Sequence, residues 1–187
     1  AFIFEVVSGT AMNASVAPDG YYKRIREICD KYDVLMIVDE VMTGSGRTGS
    51  MLAIDQYGIK PDIVTLAKSV GGGYFPVGIA CCTEEVIEPI KEHGLFSPVH
   101  TWASNPIASA VALKTLEIFE EENLIENVRV QGAYMKKQLE AMKERHPSIG
   151  NVSGKGLMLG VEFVKDKATK EPFDPKLKVA DRIALAS

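Results

Sequence analysis

At 187 residues, 46% hydrophobic and 25% charged, the chain is long enough to bury one substantial core and to begin a second. A net charge of −4 gives no general attraction to phosphate backbones or anionic lipid, so neither nucleic acid nor a membrane surface is an expected partner. No apolar run approaches the ~18 residues that span a bilayer, and the first residues lack the basic stretch of a secretory signal, which points to small-molecule chemistry in the cytoplasm.

Ala1 opens directly into a strand-like run, Phe2 to Val7, so the chain reads as cut from something longer. Further apolar, β-branched runs bounded by turn formers occur at Val34 to Val38, Ile63 to Ala67 and Val77 to Cys82. Between the first two, Tyr21, Ile25, Ile28, Cys29 and Tyr32 recur at helical spacing, while Lys23, Arg24, Arg26 and Glu27 are polar. That order of strand, crossover helix and strand predicts an α/β fold with a mostly parallel sheet covered by helices on both faces. Sheets of this kind take ligands beyond the carboxyl ends of their strands.

Ser104-Asn105-Pro106 has the form of a helix start, a capping side chain followed by proline. Ile107, Ala110, Val111, Leu113 and Leu116 give the following helix its expected apolar side. Glu120 to Asn123 break the pattern, a second helix runs from Leu124 to Arg145, and Pro147 ends it. Leu157 to Val164 reads as a strand, Lys165 to Pro175 as a loop, and Lys178 to Ala186 as a last helix. The expected division is therefore residues 1–123 as one domain, with 124–187 as a connecting helix and the start of a smaller α+β domain.

Three cysteines, Cys29, Cys81 and Cys82, are odd in number and lack metal or redox spacing, so buried reduced thiols are expected. His93, His100 and His146 show no HExxH arrangement, and no metal site is assigned.

Two residues stand where chemistry is expected. The run Val34 to Val38 ends in Asp39-Glu40, and burying an unpaired carboxylate is costly, so Asp39 needs a cationic partner. Lys68 follows the strand Ile63 to Ala67 and precedes Ser69 and the triplet Gly71-Gly72-Gly73. A lysine is ordinarily solvated, but an apolar strand carries this one toward the interior, where desolvation favours the neutral amine that attacks an aldehyde. Gly44-Ser-Gly46-Arg-Thr-Gly49 matches GxGxxG, yet it does not directly follow the strand, and no strand-ending acid lies about 20 residues on, as dinucleotide binding requires. The acidic strand end also resembles that of a P-loop ATPase, but GxxxxGK[ST] is absent from the sequence.

Read together, Arg26 to Asp30, Val38-Asp-Glu-Val-Met-Thr-Gly44, Gly46-Arg-Thr-Gly49, Lys60-Pro-Asp-Ile63 and Ala67-Lys68 with Gly71 to Gly73 closely resemble the class III aminotransferases in order and spacing. Thr101-Trp-Ala-Ser-Asn-Pro106 resembles that family's threonine segment before a helix, and Gly154 to Phe163 resembles the first strand of its smaller domain. The resemblance implies the PLP-transferase fold type I, with pyridoxal 5'-phosphate (PLP) as cofactor. It further implies that Lys68 forms the Schiff base, Asp39 pairs with the pyridine nitrogen, Val41 packs on the ring, and Thr101 binds the cofactor phosphate of the neighbouring subunit in a homodimer. The implied activity is ping-pong transamination between an amino acid or ω-amine and an oxo acid. Alternatives are another PLP reaction on the same scaffold, such as aminomutation or decarboxylation, and a structural fragment inactive by itself. Glu5, Glu40 and Arg47 stand near the site without an assigned role. The chain departs from the family at Glu5-Val6-Val7, where Glu-Pro-Val is usual, and it lacks the upstream phosphate turn and the later substrate-binding arginine; Arg182 comes too early in the pattern for that role.

Overall fold

The computed structural model describes residues 1–9, 12–94 and 100–186. β1 (Phe2–Glu5) is followed by β2 (Val7–Ser8), which pairs antiparallel with β3 (Ser15–Val16). The single strand expected from Phe2 to Val7 is therefore two. Val6 and Val7 are both fully buried, and successive side chains of one strand face opposite ways. The chain resolves this by sending Val6 into the main core and Val7 into a second cluster with Ala14 and Met158.

α1 (Tyr21–Lys31) is the crossover helix, and it buries Tyr22 and Cys29, two turns apart. Tyr22 also donates its hydroxyl to the carbonyl oxygen of Val6. β4 (Met36–Asp39) and β5 (Ile63–Ala67) complete a parallel trio with β1, and β6 (Gly78–Cys82) runs antiparallel to β5. The sheet order is β1-β4-β5-β6, a mostly parallel α/β sheet as expected. Its core face is made by Met36 and Val38, packed with Val6, Tyr22, Cys29, Ala53, Ile54 and Ile59.

The opposite face is open, which corrects the expectation of cover on both sides. Ile3 is 60% exposed on it, and Glu5, Gly78, Ala80 and Cys82 are exposed as well. The thiols also differ from expectation: Cys29 is buried on α1, whereas Cys81 and Cys82, on opposite faces of the edge strand β6, are both exposed.

α2 (Glu84–His93) follows β6 and was not anticipated. α3 (Pro106–Glu121) starts at Asn105, whose Oδ1 accepts from the N–H groups of Ile107 at 2.9 Å and Ala108 at 3.1 Å. The side that α3 buries differs from the one expected. Ala108 and Ala112 are 8% and 7% exposed, while Ile107 and Leu113 are 58% and 60% exposed. The helix lies close against the turn Lys68–Gly71, and only small side chains fit in that contact.

α4 (Leu124–Arg145) has the expected bounds and buries Gly132. β7 (Ile149–Lys155), β8 (Met158–Asp166) and β9 (Glu171–Pro172) form a separate antiparallel sheet, and α5 (Val179–Ala186) closes the described chain. No helix among the described residues is long and apolar enough to cross a membrane.

Candidate active site

The carboxyl ends of the three parallel strands meet in one row. Glu5 of β1 lies opposite Asp39 of β4, which lies opposite Thr65 of β5. Side chains in register on adjacent strands share a face, and this row lies on the open one. β5 continues past it to Ala67, and Lys68 follows at the start of a 3-10 turn, Lys68–Gly71.

Asp39 is half-buried, and its Oδ1 accepts from the N–H of Val41 at 2.9 Å and from the hydroxyl of Thr65 at 3.2 Å. The cationic partner expected from the sequence is absent among the described residues. Two neutral donors share Oδ1 instead, and Oδ2 has no hydrogen-bond partner among the described residues. Val41, itself half-buried, holds the carboxylate by its main chain.

Lys68 has a φ of 52°, a left-handed conformation that costs a non-glycine residue about 1–2 kcal/mol. The side chain is exposed. Packing of this chain alone therefore does not supply the desolvation expected for the amine. Lys68 stands instead at the rim of a cleft of about 560 Å³, lined also by Arg47, Ser69, Phe119, Ile125 and Val128. Asp39 and Val41 do not line it. Arg47 is exposed, with Nη2 3.5 Å from the Ser69 hydroxyl beside the lysine.

Glu40 takes no part in either surface. Only 1% exposed, it accepts from the Thr43 hydroxyl at Oε2 and from the Ile54 N–H at Oε1, the latter at 2.9 Å. Its own N–H donates to the carbonyl oxygen of Thr65, and its carbonyl accepts from Gly44, both at 2.9 Å. Glu40 thus pins both ends of the segment 41–54. Burial pushes its carboxyl above the ordinary range, although the bonds from Thr43 and Ile54 pull it back. Glu5, at the other end of the row, accepts from the Gly9 N–H at 3.0 Å.

Thr101 is exposed in the turn before α3 and is not brought to Lys68. Its neighbours His100, Trp102 and Ala103 border a different cleft of about 990 Å³ between β6 and α3. The glycine-rich run 44–49 forms turns after Glu40 rather than a strand-to-helix junction. Among the described residues, no group of His, Cys, Asp or Glu is arranged to hold a metal ion.

Three contributors were missed in the sequence. Thr65 is a hydroxyl on the Asp39 face of β5, and the alternation Ile63, Thr65, Ala67 was the available signal. Leu157 and Arg129 act from far along the chain: the Leu157 N–H donates to the carbonyl oxygen of Arg47 at 3.1 Å, and Arg129 Nε donates to that of Gly49 at 2.7 Å. No local pattern announces such contacts.

Comparison with known proteins bears on this geometry. The family model for class-III aminotransferases matches residues 1–183. An aminotransferase of Gibberella zeae is 40% identical over 188 aligned residues, covering 100% of this chain and 37% of that protein. A taurine–pyruvate aminotransferase of Bilophila wadsworthia is 44% identical over 162 aligned residues, covering 84% of this chain and 36% of that protein. Among solved structures, the (S)-enantioselective omega-transaminase of Thermomicrobium roseum superposes with a TM-score of 0.90 at 45% identity, over 95% of this chain and 40% of that one. The taurine:2-oxoglutarate aminotransferase of Bifidobacterium kashiwanohense, solved in complex with PLP and glutamate, gives 0.87 at 33% identity over 91% of this chain and 38% of that one. The chain thus spans about two fifths of the length of the relatives it matches.

Proposed function

The chain belongs to the class III aminotransferase family, whose members use PLP, and on that premise we propose that it is the cofactor-carrying part of a cytoplasmic, homodimeric enzyme that transfers an amino group from an amino acid or ω-amine to an oxo acid in ping-pong fashion. Within this reading, residues 1–123 belong to the large domain, and 124–187 supply the connecting helix and the start of the smaller one. The observation that carries the proposal is the strand register, which sets Asp39 beside Thr65 of β5, the strand that leads into Lys68 three residues on.

The residues present suit PLP. Asp39 offers a carboxylate on the open face with Oδ1 already held by Val41 and Thr65. The half-buried Val41 side chain is an apolar neighbour suited to a ring face. Lys68 offers an exposed primary amine at the end of the adjacent strand as the covalent attachment point. Bound there, PLP supplies an aldehyde and an electron-accepting ring. Asp39 then holds a proton at the ring nitrogen. Lys68 Nζ would hold the cofactor and, when free, would serve as general base for the proton of the substrate carbon and as general acid for its return.

Thr101 stands away from the Lys68 cleft, which supports its assignment to the phosphate of a neighbouring subunit. Trp102, Ile107 and Leu113, 69%, 58% and 60% exposed, give the same region an apolar surface for that neighbour. The relatives named for taurine and pyruvate support an ω-amine donor and an oxo-acid acceptor.

Reduction of the intact protein with borohydride in the presence of PLP, followed by peptide mass spectrometry, tests the reading. A pyridoxyl adduct at Lys68 is expected. Labelling spread over surface lysines with none at Lys68 would reject it. An amine and oxo-acid screen then separates transamination from other reactions of the same cofactor.

A further inference from the structure

Asp39 is bracketed by one residue of the neighbouring strand. Thr65 is its register partner, donates its hydroxyl to Oδ1 at 3.2 Å, and accepts the N–H of the next residue, Glu40, at 2.9 Å. The main chain of Asp39 and of the peptide that follows it, and the side-chain oxygen of Asp39, are therefore referred to the same residue. The remaining Oδ1 donor is the N–H of Val41 at 2.9 Å. The terminal torsion of an aspartate is broad and two-fold, so its two oxygens exchange places unless one of them is held. Here two donors converge on Oδ1 and hold it.

We propose that Thr65 is a positioning residue for the cofactor, fixing Asp39 by Oδ1 so that Oδ2 is the atom presented to the ring nitrogen. The assignment rests on the PLP reading above. Thr65 sits on β5 three residues before Lys68, so the strand that leads into the attachment point also orients the acid. Its contribution is the hydroxyl proton that it donates to Oδ1. A valine has nearly the same shape and β-branched preference for a strand, but cannot donate.

The test uses the intact protein with Thr65→Val, Thr65→Ser and Asp39→Asn beside the unaltered form. PLP is titrated into each apoprotein, and the pH dependence of the bound cofactor's absorbance is recorded. Thr65→Val is expected to weaken PLP binding about tenfold, the scale of one hydrogen bond to a charged group. It should also displace the absorbance midpoint in the same direction as Asp39→Asn, by less. Thr65→Ser should bring both values back to within about twofold of the unaltered protein. A role in folding alone would lower the melting temperature and leave the midpoint in place, and that result overturns the assignment. So does a Thr65→Val protein with unchanged affinity and midpoint. If borohydride fails to label Lys68 in the unaltered protein, the PLP reading itself fails; a labelled Lys68 with an indifferent Thr65→Val removes only the role of Thr65.

Discussion

The Leu157 N–H donates to the carbonyl oxygen of Arg47 at 3.1 Å, joining the turn between β7 and β8 to the glycine-rich run after Glu40. Gly156 makes this approach possible. It has a φ of 54°, and a Cβ on it would lie 2.6 Å from the carbonyl carbon of Thr48 and 2.8 Å from the Arg47 oxygen. Gly156→Ala therefore meets a left-handed backbone and a main-chain clash together. A loss of about 2 kcal/mol or more is expected, read by denaturant unfolding. Limited proteolysis should show new cleavage near Arg47, and an unchanged digestion pattern would mean that the turn does not restrain the run.

Glu40 predicts a pH effect with a definite sign. Burial raises its folded-state pKa above the ordinary 4.5, so the folded protein retains this proton over a range in which the unfolded chain has lost it. Stability from this group is present below about 4.5 and is lost as pH rises through the folded value. Glu40→Gln does not titrate and keeps an acceptor for the Ile54 N–H. Unfolding curves collected from acid to neutral pH should show the balance between the two proteins moving toward glutamine as pH rises. A constant difference would contradict the burial argument.

Asp62 predicts the opposite. Burial alone would raise its pKa, but the Met36 N–H at 2.6 Å and Arg26 Nη1 at 2.9 Å outweigh it and hold the carboxyl below the ordinary 3.8. Its contribution is present above 3.8 and disappears as pH falls through the lower folded value. Asp62→Asn should therefore be less stable than the unaltered protein at neutral pH, with the gap closing in acid. The pair ties α1 to the first residue of β4, so hydrogen exchange at Met36 should quicken in the same variant.

On the proposed reading, Lys68→Ala removes the attachment point and the proton carrier together. Turnover should fall by about 10² to 10⁴, the range for a lost general acid–base group, or more. Borohydride should leave no adduct in the peptide containing position 68. Retained activity would transfer the role to another amine.

Much of the candidate site was legible because Asp39 ends one strand and Lys68 directly follows the next. Ile63 to Ala67 is a β-branched run with a lysine after it, and the structure reproduces those bounds. Asp39 was legible for the same reason. What escaped depends on partners remote in sequence. β7 contains two glycines and three polar residues in seven, and it becomes a strand because β8 pairs with it. α2 carries Pro89 within a ten-residue helix, which obscured its pattern. The buried side of α3 was misjudged because size was taken as the guide to burial. Against the turn at Lys68, closeness decides instead, and Ala108 and Ala112 win over Ile107 and Leu113.

The N-cap of α3 gives a smaller, local test. Asn105→Ala removes the acceptor for Ile107 and Ala108 and should cost about 1 kcal/mol in unfolding experiments. Asn105→Asp should recover most of it, since aspartate caps equally well.

The reversal that follows Lys68 has a practical use. β6 runs back along β5, so Cys82 lies opposite Ile63 and Cys81 opposite Val64, at the end of the strand away from the lysine. Five residues of extended chain separate Ile63 from Lys68, about 16 Å at strand spacing. Both thiols are exposed while Cys29 is buried. A maleimide fluorophore coupled to either would sit at a fixed, short distance from the lysine without touching it, and its quenching would report occupancy of the cleft in real time.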